Sequence, residues 1–468
     1  MANTSAELQK KTNRLWLIPA VIILVAALAG AFILVFAYEK ELPQVSLLKD
    51  ISLLGASSEI QLVLTDAKSG IRSVNISLVQ DDKQATLVKK TLPRQGYLSG
   101  SGPNRLEETI PVNFKKLGFA DGKALLLVEV RDFSWSNWMA GNESSAEYQI
   151  EIDTTPPRIH IMRTPQYIAA GGSGVVTYQL NEPASRHGVT VNDLYYPGFP
   201  LNNSGTDNYH AAFIGLPFST EQLGQQAISA TDLAGNPAAV SFGMNLHRRR
   251  MTEDRIAVSE NFLQRKIPEF SQYYPELNGS LLEQYVSVNN SIRKVNDQKI
   301  QEICRGAMPE RLWQGRFKRM SRGANRAGFA DHRTYFFDNR EIDRQVHLGV
   351  DLASTEHADI RAANRGKVVF ADYLGIYGNT VILDHGQGVF SLYAHLSDIK
   401  TENGALVEQD AVIGSSGSTG MAGGDHLHFS MLVNGIFVNP LEWWDISWLE
   451  INMIGPLQQE IKTVADPF

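Results

Sequence analysis

The sequence predicts a multidomain, mainly β protein with one apolar helix near its N-terminus. The 468 residues exceed what a single hydrophobic core usually organises, so we expect three to four folded units. Short runs rich in β-branched residues alternate with Gly, Asn and Asp turns over most of the chain. One uncharged run of 24 residues near the start stands apart from that pattern.

Charge and cysteine usage exclude several classes of protein. The formal net charge of -7 argues against nucleic acid as a partner. Cys304 is the only cysteine, so the chain forms no intramolecular disulfide and no zinc site built on cysteine pairs.

The uncharged run, Leu15 to Tyr38, is predicted to be a transmembrane helix. As a helix it would reach about 36 Å, enough for a bilayer core of about 30 Å. Lys10, Lys11 and Arg14 precede it. The positive-inside rule then makes residues 1–14 a cytoplasmic tail and places the rest of the chain outside the cytoplasmic (inner) membrane.

A cleaved signal peptide is the alternative interpretation of this run. Ala27-Leu28-Ala29 resembles a cleavage site. The apolar stretch continues through Phe36, which is longer than a normal signal core and favours the anchor.

Two β units are predicted next, over residues 39–155 and 156–250. Paired prolines in Asp153–Pro157 block helix and central strand and mark the boundary between them. The size of each unit suits a β-sandwich. Short motifs resemble those of bacterial immunoglobulin-like repeats: D-x-x-S-G-I (Asp66 to Ile71), D-T-T-P-P (Asp153 to Pro157) and A-T-D-L-A-G-N (Ala230 to Asn236).

That resemblance implies two immunoglobulin-like domains that act as spacers or as a contact surface for an envelope protein. We expect their Asp and Asn residues to serve turns rather than to bind a ligand.

Residues 251–325 are predicted to form a helical connector. Thr252 reads as an N-cap, with a helix continuing to Lys266, and a second helix is expected over about Ser280 to Arg305. The basic stretch Arg311 to Arg326 is either a solvated connector or a contact for an anionic polymer or lipid head groups. Residues 326–450 return to short apolar strands without intervening helices, which predicts an antiparallel sheet, and residues 451–468 are a C-terminal tail.

Histidines cluster in this last domain. His347 and Asp351 are four residues apart, with a strand leading into a loop between them. His426 and His428 are two apart, so on a strand they would share a face, as would His395 and Tyr393. Each pair alone is weak evidence for a metal site, since structural histidines are common. Imidazole and carboxylate together are ligands that zinc accepts.

The combination resembles the lysostaphin/LytM-type zinc metallopeptidases that cut peptidoglycan. The matching segments run in one register over about 110 residues: F-A-D-H-R-T-Y (Phe329 to Tyr335), H-L-G-V-D-L-A from His347, I-R-A-A-N-R-G-K-V-V from Ile360, Y-G-N-T-V-I-L-D-H-G from Tyr377, L-Y-A-H-L-S from Leu392, I-G-S-S-G-S-T-G from Ile413, G-D-H-L-H-F from Gly424, and Asn439-Pro440. Ser430 departs from the pattern, because many relatives carry an acid there, which puts one supporting contact to a ligand in doubt.

The resemblance implies that His347, Asp351 and His428 bind Zn2+. It implies that His395 and His426 form a second pair, which deprotonates water and stabilises the tetrahedral intermediate. The expected protein is a membrane-anchored zinc endopeptidase acting on peptidoglycan stem or cross-bridge peptides. The alternative is a silent or autoinhibited envelope regulator that activates a partner hydrolase, with the 252–325 connector covering the cleft in the autoinhibited case.

Overall fold

The computed structural model describes residues 17–96, 101–201, 208–248 and 252–458. The chain divides into two compact units. The first comprises Met1–Pro156 with Leu233–Asn236, and the second comprises Pro157–Asp232 with Pro237–Phe468. The predicted cytoplasmic tail, residues 1–14, and the last ten residues of the predicted C-terminal tail lie outside the described residues.

The first unit begins with helix α1, Leu17–Ala37, whose described side chains are mostly exposed. Among the described helices, none meets the length and hydropathy required to cross a membrane. The transmembrane helix predicted for residues 15–38 is therefore not confirmed.

Two sheets follow α1 and enclose one apolar core. Their strand pairs are antiparallel except for β2 with β8, which is parallel. One orders its strands β1-β3-β6 and the other β2-β8-β7-β4-β5. Ile60 and Leu62 of the first sheet and Ile76 and Val128 of the second are fully buried against each other's layer. The elements are β1 (Gln44–Leu47), β2 (Leu53–Leu54), β3 (Ser57–Thr65), β4 (Ile71–Gln80), β5 (Lys83–Thr91), β6 (Arg105–Asn113), α2 (Phe114–Leu117), β7 (Gly122–Asp132), α3 (Ser136–Met139) and β8 (Glu143–Ile152).

The second unit opens with another pair of facing sheets, ordered β14-β15-β11-β9 and β13-β12-β16-β17. Val176, Val189, Ile214 and Ile228 fill the core between them. The strands are β9 (Ile159–Arg163), β10 (Tyr167–Ala169), β11 (Ser173–Leu180), β12 (Ala184–Val191), β13 (Leu194–Pro197), β14 (Phe199–Pro200), β15 (Tyr209–Gly215), β16 (Gln226–Asp232), β17 (Pro237–Ser241) and β18 (Asn245–His247).

The connector begins differently from the prediction. Glu253–Ala257 is a strand, β19, and the helix α4 starts later, at Glu260, and runs to Tyr273 through Pro268. The predicted helix start at Thr252 is wrong, because β19 pairs in parallel with β21 (His332–Phe337) and Ser259 is the residue that caps the helix. The helix itself is present over residues 260–266 and extends beyond them. The second predicted helix is confirmed as α5 (Leu281–Ser287), a π-helical turn (Val288–Ile292) and α6 (Arg293–Ile303).

The last part of the chain is built on an antiparallel sheet, as predicted. Its strands are ordered β20-β23-β31-β27-β26-β25-β29, with β32 paired to β31. The elements are β20 (Ala324–Ala327), β22 (Arg340–Val346), β23 (Val350–Ala353), β24 (Asp359–Arg361), β25 (Gly366–Tyr373), β26 (Asn379–Asp384), β27 (Val389–Leu396), β28 (Asp398–Ile399), β29 (Leu406–Val407), β30 (Val412–Ser415), β31 (Leu427–Val433), β32 (Ile436–Val438), α7 (Pro440–Trp444) and α8 (Ile446–Leu449).

The basic stretch before this sheet is not simply solvated. Trp313 and Phe317 are fully buried and pack edge-on against Trp443 of α7. The backbone of Phe317 also donates to the Trp443 carbonyl at 3.1 Å. The apolar residues of this stretch therefore anchor it in the core.

Candidate metal centre

Three side chains meet where two neighbouring strands of the sheet face a loop. Asp351 on β23 and His428 on β31 are directly opposed partners in the ladder. His347 lies in the loop between β22 and β23. All three are buried, with 5 to 8% of each residue exposed.

The ligand atoms of these residues form a nearly equilateral triangle. Asp351 Oδ1 lies 2.9 Å from His347 Nε2 and 2.9 Å from His428 Nδ1, and the two nitrogens are 3.0 Å apart. Ligand atoms around a tetrahedral ion with bonds of about 2.0 Å are separated by roughly 3.3 Å. The donor set and its spacing therefore fit a small divalent metal such as zinc.

Hydrogen bonds on the far side of each imidazole fix its tautomer. His347 Nδ1 donates to the carbonyl of Gly328 at 2.7 Å. His428 Nε2 donates to Ser430 Oγ at 3.0 Å, because that hydroxyl uses its own proton on the carbonyl of Leu348. The nitrogens that face the triangle are left as lone-pair donors. Burial also lowers the pKa of His428 to about 4, which keeps it neutral.

The carboxylate of Asp351 is held on both oxygens. Arg333 Nη2 donates to Oδ2 at 2.9 Å, while Oδ1 faces the histidines. Burial alone would raise the pKa of Asp351. The neighbouring His347, together with the contacts of His426 and His428, outweighs it and holds the pKa well below its usual value. The site therefore keeps an ionised carboxylate in a buried position.

His395 and His426 lie beside the triangle. Their ring centroids are 4.9 Å apart, and His426 Nε2 is 3.6 Å from Asp351 Oδ1. Each Nδ1 binds a backbone carbonyl, that of Thr419 for His395 at 2.9 Å and that of Gly424 for His426 at 2.8 Å. In each ring Nε2 is left for a reacting group.

These two histidines differ electrostatically. Burial, with His426 and His428 nearby, holds the pKa of His395 well below its usual value. Burial also acts to lower the pKa of His426, but the Asp351 carboxylate outweighs it and the pKa is raised.

His395 reaches this position through an irregularity in its strand. The register of β27 against β26 shifts between the pairs Val381↔Tyr393 and Asn379↔Leu396, so two residues oppose Thr380. His395 has a φ of 62°, which is rare for a residue with a side chain.

The predicted shared face of Tyr393 and His395 is wrong for that reason. The Tyr393 hydroxyl binds Ala363 N and Ser391 Oγ, whereas His395 joins the other site histidines.

Gly349 allows the loop that carries His347 to approach β31. A Cβ at this position would lie 2.5 Å from His428 Nε2 and 2.6 Å from Ser430 Oγ. Any side chain here would collide with the His428 ring and with the hydroxyl that orients it.

The five histidine and aspartate residues line a cavity of about 360 Å³. The connector and β19 contribute to its wall through Ile256, Phe262, Tyr285 and Arg293. Helix α4 also holds a loop of the site, since Glu269 Oε1 accepts from Gly420 N at 2.6 Å and Lys266 Nζ donates to the Ser418 carbonyl.

The structure thus brings together His347, Asp351, His395, His426 and His428, as the sequence predicted. The residues that orient them were not predicted. Three are backbone carbonyls, those of Gly328, Thr419 and Gly424, which leave no signature in the sequence. The other two are Ser430 and Arg333; the motif from Phe329 to Tyr335 contains Arg333 without indicating its contact. Three further polar side chains of the domain bind elsewhere: Asp384, His385 and Asp425.

An antiparallel β domain with a His-Asp-His ligand triangle and an adjacent histidine pair defines a class of metallopeptidase-like domains. Residues 345–440 match the model of peptidase family M23. The C-terminal part of this chain is a peptidase M23 (LytM-type) domain, which confirms the family that the sequence motifs indicated.

Curated relatives match this chain over about a fifth of its length. DD-carboxypeptidase/endopeptidase Mpg of Neisseria meningitidis is 41% identical over 97 residues, 21% of this chain and 22% of the relative. Murein hydrolase activator EnvC of Escherichia coli is 33% identical over 95 residues, 20% of this chain and 23% of the relative. The matches thus span less than a quarter of the length of these curated relatives. The catalytic domain of lysostaphin from Staphylococcus simulans is 27% identical, with a TM-score of 0.23, over 26% of this chain and 92% of that one.

Proposed function

We propose that this chain is a zinc metallo-endopeptidase that hydrolyses amide bonds in peptidoglycan stem or cross-bridge peptides. The observation that carries the proposal is the triangle of His347 Nε2, Asp351 Oδ1 and His428 Nδ1, with His395 and His426 beside it. Relatives of the domain with names such as DD-carboxypeptidase/endopeptidase support the substrate class.

The metal would be held by His347, Asp351 and His428. When bound, zinc supplies a positive charge that activates water and polarises the scissile carbonyl. The chain contributes ligands of fixed tautomer, because Gly328 and Ser430 take the outward N–H groups. Fixed ligands need no reorganisation when the metal enters.

His395 and His426 accept the proton of the attacking water and stabilise the negative charge that develops on the substrate. Backbone carbonyls hold Nδ1 of His395 and of His426, so Nε2 of each ring is the atom that meets the substrate. The pair positions and deprotonates the attacking water and stabilises the tetrahedral intermediate. His395 is buried and His426 is partly buried, so bulk water has limited access to these contacts.

The test is digestion of isolated peptidoglycan by the purified full chain, with analysis of the released muropeptides. We expect loss of cross-linked species that depends on zinc and disappears in His428→Ala. His357→Ala removes an exposed histidine and should digest normally. An unchanged muropeptide profile with zinc-loaded, folded protein would contradict an endopeptidase that is active in the full chain.

A regulator of another hydrolase is the second candidate function, and the connector favours it. Phe262 and Tyr285 narrow the cavity that a substrate peptide would enter. The substitution Phe262→Ala would remove one of these aromatic side chains from the cavity wall. Activity that appears only in that variant would indicate an autoinhibited enzyme. Inactivity of both proteins, with activation of an added cell-wall hydrolase, would support the regulator, whose parallel among relatives is the murein hydrolase activator.

For location, we propose that the chain is held at the inner membrane with its peptidase domain in the periplasm or outside the cell, and that the β units are immunoglobulin-like spacers or a contact for an envelope protein. The support is the uncharged run from Leu15 to Tyr38 with basic residues before it. Membrane fractionation and protease protection of intact cells test this. Recovery of the full-length chain in the soluble fraction would contradict the anchor.

A further inference from the structure

Three carboxylates converge in the first unit, outside the peptidase domain. Glu39 follows α1, Asp66 follows β3 and Asp132 ends β7. One carboxylate oxygen of each residue lies within 4.8 Å of the other two. Only 5%, 3% and 0% of these residues are exposed, so three acids share a place that water barely reaches.

The hydrogen bonds of these carboxylates are incomplete. Asp66 Oδ2 accepts from Gly70 N at 2.5 Å and so serves the turn that the sequence predicted. Glu39 Oε2 accepts from Ser69 N at 3.0 Å. The other oxygens of both residues, Asp66 Oδ1 and Glu39 Oε1, are buried without any partner among the described residues.

Asp132 accepts more hydrogen bonds than the other two acids, but none of its donors is positively charged. Its oxygens accept from Ser134 N, Asn142 N and Asn142 Nδ2 at 2.7 to 3.0 Å. The hydroxyl of Ser134, a residue only 2% exposed, is also without a partner in the described structure. Within the described residues, no lysine, arginine or histidine forms an ion pair with any of the three acids.

A buried cluster of three carboxylates is energetically unfavourable unless a cation is bound to it. Burial raises the pKa of Glu39 and of Asp66, and the neighbouring carboxylates raise both further. Buried charges are normally paired or coordinate a metal, since isolating them from water is expensive. Three neighbouring carboxylates, two of them with an unpartnered oxygen, can supply the coordination and the charge that a divalent cation needs.

We propose that Glu39, Asp66 and Asp132 form a calcium site. The donors are all oxygens, which suits a hard cation rather than zinc. Calcium–oxygen bonds of about 2.3–2.6 Å place opposite ligands up to about 5 Å apart, which matches the observed spread. Magnesium demands a tighter octahedron and keeps several waters, for which a nearly closed cluster is less suitable.

The site would fix the segment that leaves α1. The carbonyl of Glu39 already accepts from Ser136 Oγ at 2.6 Å and from Asn142 Nδ2 at 3.0 Å. A shared ion adds bonds from the Glu39 side chain to the loops after β3 and β7. Calcium then controls how firmly the start of the chain is attached to the first β-sandwich.

The experiment is equilibrium dialysis of the full chain against radioactive calcium after removal of divalent metals and addition of one equivalent of zinc. We expect one saturable calcium per chain, with a Kd of about 10⁻⁵–10⁻³ M, and a higher Tm when calcium is bound. Asp66→Asn and Asp132→Asn should each weaken binding at least about tenfold. Asp82→Asn, an exposed acid of the same unit, is the matched control and should bind normally.

Three outcomes would overturn the proposal. They are the absence of saturable binding by the folded chain, binding that survives both substitutions, and tighter binding of magnesium than of calcium. If Asp66→Asn or Asp132→Asn prevents folding, as judged by circular dichroism, Glu39→Gln tests the same site. Glu39 lies outside the sheets, so its substitution is less disruptive to the fold.

Discussion

The hydroxyl of Ser430 accepts a hydrogen bond from His428 Nε2 at 3.0 Å and donates its own proton to the carbonyl of Leu348 at 2.8 Å. This relay sets the tautomer of His428 with a neutral group, where a carboxylate would add negative charge. It also links the ligand on β31 to the loop that carries His347. The departure from the family pattern at this position therefore preserves the supporting contact.

Ser430→Ala should lower zinc affinity by about ten- to a hundredfold, the usual effect of removing a group that orients a metal ligand. The measurement is competition for zinc with a chromogenic chelator. Ser391→Ala is the matched control, because Ser391 Oγ binds His385 Nε2 at 2.6 Å in the same sheet but away from the triangle. Equal zinc affinities for Ser430→Ala and the wild type would refute the role of the relay.

Gly349→Ala should weaken zinc binding and cost about 1–3 kcal/mol of stability, because the new methyl group would lie 2.5 Å from His428 Nε2. Chemical denaturation and zinc competition together measure both effects. Gly306→Ala serves as the control, since a Cβ there meets nothing within 4 Å. A Gly349→Ala protein with normal zinc affinity would show that the loop can move away at no cost.

Glu269→Gln should reduce kcat by about three- to tenfold while leaving zinc affinity unchanged. Its carboxylate accepts from Gly420 N, next to Thr419, whose carbonyl orients His395. A neutral amide oxygen makes a hydrogen bond roughly half as strong, so the loop is held less firmly. Kinetics on a defined muropeptide test this, with Glu260→Gln on the exposed start of α4 as control. A change in zinc affinity instead of kcat would contradict the positioning role.

The stability of the second unit should fall as the pH drops from about 6.5 towards 4. Burial lowers the pKa of His187 and lowers that of His210 to about 4, and their rings are 4.0 Å apart. Histidines in the unfolded chain have a pKa of about 6.5. The stability that these two residues contribute is thus complete above pH 6.5. It is lost as the pH falls, because the unfolded chain then binds protons at these histidines more readily than the folded protein does.

Urea unfolding at several pH values measures this effect by comparison of variants. His210→Asn should show a shallower fall in the free energy of unfolding over that range than the wild type. His160→Asn, on the exposed edge of β9, should fall as steeply as the wild type. Parallel curves for His210→Asn and the wild type would mean that this histidine pair does not govern the acid sensitivity.

The sequence predicted that His347, Asp351, His395, His426 and His428 lie together, because their motifs match a known family, and the structure brings them together. It also predicted the antiparallel sheet from short apolar strands. It did not predict the bulge at His395, since a register shift depends on the partner strand rather than on local residues. The proposed calcium cluster escaped notice for a similar reason, because Glu39, Asp66 and Asp132 are distant in sequence and each has an ordinary local role.

The connector strand β19 also escaped prediction, because its parallel partner β21 lies more than seventy residues later in the chain. A strand of only five residues, three of them charged, gives little local signal. Only the tertiary pairing distinguishes this strand from the start of a helix.

The pairing of β19 with β21 has a consequence for how this architecture can be rearranged. A peptidase module cut from the chain at residue 326 would lose one strand of the β19-β21-β22 sheet, and it would present the bare edge of β21 to other chains. Fusion of the peptidase domain to a foreign N-terminal region is therefore expected to give a soluble protein when the junction lies before Glu253. A junction between Ala257 and His332 removes β19, and the fusion protein is expected to aggregate.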